Sequence, residues 1–157
     1  MLKFNTNTVI IRIGWLYSSH HKNFVRTIYN LIKNHPEPLK VVNDQYGTPT
    51  HTMDVTEGIV NLIYTMDNKD WKFWKDIYHL SGRIIKISWY GFAKHIRHHM
   101  GSNKEIIPVT SENQTTRRPQ NSSLDASVFK ADFEYTQTLS STRLKNTIEE
   151  LNRNCGS

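Results

Sequence analysis

Apolar residues recur along this chain at two periods, and the switches between them mark out the elements. Thr8-Val9-Ile10-Ile11-Arg12-Ile13 is β-branched and apolar on both faces, the pattern of a strand buried within a parallel sheet. Gly14-Trp15-Leu16-Tyr17 falls at its C-terminal end, where open α/β sheets take ligands. Trp15 and Tyr17 either stack on a base or sugar there or fill the top of a core. Asn23 then caps a helix in which Phe24, Ile28, Leu31 and Ile32 recur at helical spacing, and His35-Pro36-Glu37-Pro38 ends it. Leu39 to Val42 reads as a short strand. Thr50 or Thr52 caps a second helix whose apolar face is Val55, Ile59, Leu62, Ile63 and Met66.

The second half of the chain repeats the alternation. A charged linker from Asp67 to Lys75 holds Trp71 and Trp74, and Asp76 to Leu80 is a brief strand. Ser88 caps a third helix, Trp89 to Met100, with Phe92, Ala93 and Ile96 as its stripe. Glu105 to Val109 is a strand, and Thr110 to Gln120 a polar loop. Asp125 caps a short helix, and a last helix from about Ser141 to Asn152 carries Leu144, Ile148 and Leu151 on one side. Strands alternating with helices predict an α/β fold.

Composition narrows the picture a little. The 157 residues suffice for one domain with a core, and 37% hydrophobic with 11% aromatic content is a globular composition. The formal charge of +6 suits an anionic partner, but the basic residues are spread along the chain and massed in no single run. A phosphate-bearing small molecule fits that distribution as well as nucleic acid does. A single cysteine, Cys155, can form no internal disulfide, and the chain holds no apolar run of membrane-spanning length or signal-peptide layout. A cytoplasmic, soluble protein is expected.

Several groupings could carry chemistry. Val41-Val42-Asn43-Asp44-Gln45-Tyr46-Gly47-Thr48-Pro49-Thr50 ends a strand in amide, carboxylate, phenol and hydroxyl groups before a helix, which suits either a ligand site or a plain strand–turn–helix corner. Arg117-Arg118-Pro119 precedes a helix cap; guanidinium groups there either reach a diphosphate or pair with a nearby carboxylate while Asn121 braces the turn. His95, His98 and His99 share one helix face at metal-compatible spacing, yet no carboxylate or cysteine accompanies them, so a solvated face is expected. His20-His21 reads the same way. No GxGxxG or GxxxxGK[ST] loop occurs. Tyr90 and Lys94 have Tyr-x-x-x-Lys spacing, but on a helix patterned for packing.

Six stretches occur in an order that resembles one family. They are Arg12-Ile13-Gly14-Trp15-Leu16-Tyr17, Asn23-Phe24-Val25, Asn43 to Thr50, Tyr78-His79-Leu80, Ser88-Trp89-Tyr90 and Arg118 to Asp125. Together they resemble the C-terminal half of dTDP-4-dehydrorhamnose reductases, which are extended short-chain dehydrogenase/reductases, over about Val9 to Leu151. The resemblance implies the last Rossmann strand or strands plus a small α/β substrate-binding domain, so that residues 1–157 form a single partial domain. It implies reduction of dTDP-4-dehydro-L-rhamnose to dTDP-L-rhamnose with NADPH or NADH, for surface polysaccharide. The family's glycine-rich loop, catalytic Ser/Thr and Tyr-x-x-x-Lys pair precede the region matched, so this chain is expected to be inactive alone.

By the same resemblance, Trp15 matches the tryptophan that contacts the sugar nucleotide, and Asn43, Gln45 and Arg118 match positions lining or bracing the substrate side. Gly14 stands where the family has serine, and Ser18 where it has glycine. Mg²⁺ at a dimer interface is a family trait whose ligands have no identifiable counterpart here. The implied partners are the dTDP-sugar and either a separate Rossmann half or a homodimer partner, with neither nucleic acid nor membrane expected. The alternatives are a non-catalytic relative serving as a regulatory or binding subunit, like the β subunit of methionine adenosyltransferase, and a basic nucleic-acid-binding domain. A strand meant for the middle of a parallel sheet also predicts bare edges and an oligomeric or aggregation-prone chain.

Overall fold

A computed structural model describes residues 8–68, 77–83, 86–112 and 118–154. The β-branched opening forms β1 (Ile10–Arg12), which runs parallel to β6 (Ile77–His79) with Ile10 opposite Ile77 and Arg12 opposite His79. Burial on both faces does not hold: Arg12 and Ile13 are exposed, because among the described residues β1 is paired on one side only. The aromatic segment after it is itself a strand, β2 (Leu16–Tyr17), parallel to β5 (Thr50–His51).

α1 (Phe24–Asn34) begins where expected, the Asn23 side chain accepting a hydrogen bond from the Arg26 amide. Val25, Ile28, Tyr29 and Ile32 are its buried face, and His35 before Pro36 closes it. β3 (Leu39–Val42) and β8 (Ile106–Val109) pair in parallel over four residues, with Leu39 opposite Ile106 and Val42 opposite Val109. α3 (Trp89–His99) lies on this pair and starts at Ser88, whose hydroxyl accepts from the Gly91 amide. Its Phe92, Ala93 and Ile96 are all buried, and Leu144, Ile148 and Leu151 of α5 (Ser140–Asn154) meet them. These elements with Tyr17 make the larger core.

A second, smaller core lies under α2 (Thr52–Asp67) and α4 (Ser127–Phe133), built on Leu62, Tyr78, Leu80, Phe129 and Phe133. Two details of α2 differ from the sequence reading. The cap is His51, whose Nδ1 accepts from the Met53 amide at 3.0 Å, while Thr50 is fully buried and its hydroxyl accepts from the Gly82 amide. Only Val55, Leu62 and Met66 of the expected stripe face the core; Ile59 and Ile63 are exposed. α4 likewise starts two residues after Asp125, whose Oδ1 accepts from the Ser127 amide. Trp71, Trp74, Arg117 and Cys155 lie outside the described residues.

One ion-pair network ties the two cores. Arg143 of α5 donates from Nε to Asp54 at 2.9 Å and from Nη2 to both oxygens of Glu57 at 2.7 and 2.6 Å. Asp54 is 1% exposed, and the Tyr135 hydroxyl reaches its backbone carbonyl and Glu57. Burial raises the Tyr17 and Tyr135 phenols well above their usual range, so both stay protonated.

Candidate functional site

The segment from Asn43 to Thr50 is held from every side by backbone hydrogen bonds. The Asn43 amide donates to Val109, the Tyr46 amide to Gln120, the Ser122 amide back to Tyr46, the Trp89 amide to Gln45, and the Thr50 amide to Trp15. Tyr46 and Gly47 form β4 (Tyr46–Gly47), antiparallel to β7 (Ile87–Ser88). Four remote segments are thereby gathered around one stretch: the turn between β1 and β2, the start of α3, the end of β8 and the loop before α4.

Trp15 stands at their junction. Its backbone is left-handed at φ 48°, a conformation that costs a non-glycine residue about 1 kcal/mol or more and persists only where the surroundings impose it. Here they do. The indole Nε1 donates to Ser122 Oγ at 3.0 Å, and that hydroxyl donates in turn to the Tyr46 carbonyl. The ring stacks on Trp89 with centroids 3.3 Å apart and planes within 4°. Gly47 closes against it: a Cβ there would sit 2.7 Å from Trp15 Cζ2 and closer still to Cε2 and Nε1. Phe24 backs Trp89 from α1, at 4.5 Å between centroids.

Trp15, Gln45, Trp89, Arg118, Pro119 and Ser122 line one cavity of about 320 Å³. Three of the four residues singled out from sequence therefore converge. Gln45 is buried in its wall, while Arg118 is exposed at its rim and forms no ion pair among the described residues. Asn121 braces the turn, its Oδ1 accepting from the Ser123 hydroxyl at 2.7 Å, although the carboxylate partner for Arg118 that went with that reading is not found among the described residues.

Asn43 lies apart from that cavity. Its Oδ1 accepts from Ser88 Oγ at 2.7 Å, so it supports the cap of α3, and it lines a neighbouring cavity of about 550 Å³ with Asp44, Tyr46, Lys86, Thr110 and Gln120 among others. Asp44 Oδ2 accepts from both the amide and the hydroxyl of Ser111 at 2.9 Å, and the amide bond chiefly holds this carboxyl below the usual carboxylate range. Its Oδ1 is buried without a hydrogen-bond partner among the described residues. Lys86 Nζ stands 4.9 Å over the Tyr46 ring. The two cavities thus pair an aromatic wall and a free guanidinium with an amide, a carboxylate and an ammonium.

Sequence reasoning missed Trp89, Ser122 and Lys86. Trp89 and Ser122 were within the family stretches, but only the fold shows that they fix the Trp15 indole. Tyr90 and Lys94 form no acid pair: the Lys94 ammonium lies 5.5 Å over the Tyr90 ring. The sequence holds no GxGxxG or GxxxxGK[ST] loop of the kind that cradles a dinucleotide's phosphates. Among the described residues no group of three or more His, Cys, Asp or Glu could hold a metal, so Mg²⁺ has no ligand set there. His98 and His99 meet edge-on at 5.5 Å, and burial chiefly lowers the pKa of His99.

A family model described as the RmlD substrate binding domain matches residues 1–153. The chain is 35% identical over 114 residues to the spore coat polysaccharide biosynthesis protein SpsK of Bacillus subtilis, covering 73% of this chain and 37% of that protein. It is 30% identical over 135 residues to the dTDP-4-dehydrorhamnose reductase of Sinorhizobium fredii, covering 82% and 45%. Among solved structures, a dTDP-4-dehydrorhamnose reductase from Clostridium acetobutylicum superposes with a TM-score of 0.77 at 32% identity, over 92% of this chain and 49% of that one. The Bacillus anthracis dTDP-4-dehydrorhamnose reductase, solved in complex with NADP, gives 0.73 at 27% identity over 93% and 48%. The chain therefore spans less than half the length of these relatives. No helix among the described residues is long and apolar enough to cross a membrane.

Proposed function

The chain belongs to the family of RmlD substrate-binding domains, and on that premise we propose that it binds a dTDP-sugar, forming the substrate half of a dTDP-4-dehydrorhamnose reductase. The convergence of Trp15, Trp89, Gln45 and Arg118 on one cavity carries this reading. A nucleoside diphosphate sugar needs a cation for its phosphates and an apolar plane against its rings. Arg118 supplies a guanidinium with both edges available for charge-assisted hydrogen bonds. The Trp15–Trp89 stack supplies a wall whose position is set before the ligand arrives, so little ordering is left to the binding step.

Reduction of the 4-keto group with NADPH or NADH is then the reaction this half serves. A nicotinamide supplies the hydride in such chemistry. The residues of this chain bind and orient the sugar nucleotide and keep water from its apolar face. The proton donor and the cofactor cradle belong to a further half of the fold, and residues 1–157 are a partial domain with β1 and β6 as the last strands of that half's sheet.

Titration of the full chain with dTDP, followed by calorimetry, tests the reading. Wild-type chain is expected to bind dTDP, and Arg118→Gln to weaken it by about tenfold or more, since a charge-assisted hydrogen bond contributes about 1.5–3 kcal/mol. Affinity falling with added salt would accompany it. Absence of dTDP binding at millimolar concentration, or binding that Arg118→Gln leaves unchanged, would overturn it.

A further inference from the structure

Arg118 and Ser122 stand on one short loop, and each serves a different wall of the same cavity. Arg118 presents its guanidinium at the rim. The Ser122 hydroxyl accepts from Trp15 Nε1 at 3.0 Å, across 107 residues of chain. It has no proton left for a ligand, because it donates to the Tyr46 carbonyl at 3.1 Å, and that carbonyl also accepts from the Ser122 amide at 2.8 Å. The loop is fastened again where the Tyr46 amide donates to Gln120, also at 2.8 Å, and Tyr46 forms a parallel bridge with Asn121. Pro119 restricts Arg118 to extended backbone. Little freedom is left between Arg118 and Ser122.

Trp15 needs such a holder. The stack on Trp89 and the close approach of Gly47 confine the indole to a plane, but apolar burial and dispersion are non-directional, so the ring can turn within that plane at small loss. A hydrogen bond to one edge of the ring sets that rotation. The left-handed backbone of Trp15, at φ 48°, carries a strain comparable in size with one neutral hydrogen bond, so loss of the bond brings relaxed conformations within reach. We infer that Ser122 is a positioning residue of the site: its hydroxyl sets the aromatic wall at a fixed span from the Arg118 guanidinium carried on the same loop. This rests on the proposed function, in which a dTDP-sugar meets both the wall and the cation.

The test is calorimetric titration of the full chain and its variants with dTDP, beside hydrogen exchange at the Trp15 indole read by NMR. Ser122→Ala is expected to weaken dTDP by about three- to tenfold, the contribution of one neutral hydrogen bond. That factor is expected to be the same at every salt concentration, whereas Arg118→Gln flattens the salt dependence. Exchange at Trp15 Nε1 is expected to quicken in Ser122→Ala; in Ser122→Thr, which keeps the hydroxyl, both affinity and exchange return to wild-type values. Ser123→Ala, which removes a hydroxyl bonded to Asn121, is expected to change neither. In a Trp15→Phe background, which lacks the indole donor, Ser122→Ala is expected to cost no further affinity. Wild-type affinity or exchange in Ser122→Ala, no recovery in Ser122→Thr, an equal loss from Ser123→Ala, or an equal loss from Ser122→Ala in both backgrounds would overturn the inference. The two ideas stay separable: dTDP binding that Arg118→Gln weakens and Ser122→Ala leaves alone sinks this one only. Absence of dTDP binding, with indole exchange that still depends on Ser122, sinks the proposed function while the placement of the wall stands.

Discussion

Arg143→Met removes the guanidinium that joins α5 to α2 while keeping most of its stem. The carboxylate it leaves behind matters most. Asp54 is 1% exposed, and Arg143 Nε is its ion-pair partner at 2.9 Å. Breaking a buried pair from one side costs about 3–5 kcal/mol, because the remaining charge is neither hydrated nor paired. One effect reduces that here, and a second adds little to it. Asp54 lies in the first turn of α2, where the helix N-terminus lowers the cost of a negative charge by about 0.3–1 kcal/mol. Glu57 has a side chain 41% exposed, so its share of the network is that of a surface pair, about 1 kcal/mol or less. The net expectation is a loss of about 2–4 kcal/mol, read as a lower urea midpoint at unchanged slope. Asp54→Asn in the Arg143→Met background is expected to recover part of that loss, since it removes the stranded charge. A loss below about 1 kcal/mol for Arg143→Met, or strict additivity of the two substitutions, would refute the argument that Asp54 is a desolvated, obligately paired carboxylate.

Two further perturbations bear on the site and on α2. Gly47→Ala drives a methyl into the Trp15 indole, with an expected loss of about 1–3 kcal/mol and a shift of tryptophan emission; the same substitution in a Trp15→Ala background is expected to be nearly neutral, and an equal loss in both would refute the contact. His51 is expected to destabilise the chain on acidification. Burial, then Arg143, lowers its folded pKa below 6.5, so the unfolded chain takes up the proton first and stability falls as pH drops through 6.5 toward the folded value. The imidazolium can also no longer accept from Met53, which removes the cap. His51→Asn retains a capping acceptor, and its stability measured from pH 7.5 to 5 is expected to fall less steeply than that of the wild type, His99 accounting for a residual slope.

Elements with a strong local signal were legible in the sequence. Asn23 and Ser88 cap their helices as read, and Phe92, Ala93, Ile96, Leu144, Ile148 and Leu151 are buried as their spacing implied. α2 misled because its apolar arc is wider than the face it buries: only Asp54, Glu57, Asn61 and Thr65 make a polar stripe, and Ile59 and Ile63 satisfied the pattern from the outside. The two-residue strands β2, β4, β5 and β7 exist through their distant partners and left no local trace. Trp15, Gln45 and Arg118 came from resemblance, and their meeting in one cavity is a fact of the fold. Asn43 lines the neighbouring cavity and braces the cap of α3, its side-chain carbonyl 2.7 Å from Ser88 Oγ, a distance no spacing reveals.

The hydrogen bonds that fix the Trp15 indole span most of the chain, 107 residues to Ser122 and 76 from Ser122 to Tyr46. Contacts of that separation form late, after the entropy of closing the intervening loops has been met. The wall that Trp15 forms is therefore expected to be among the last parts of the molecule to form, since its hydrogen bonds lie within no single helix or hairpin. A ligand held there should act on the whole folded population, raising the global unfolding midpoint, with no separate loop-ordering step in its binding kinetics.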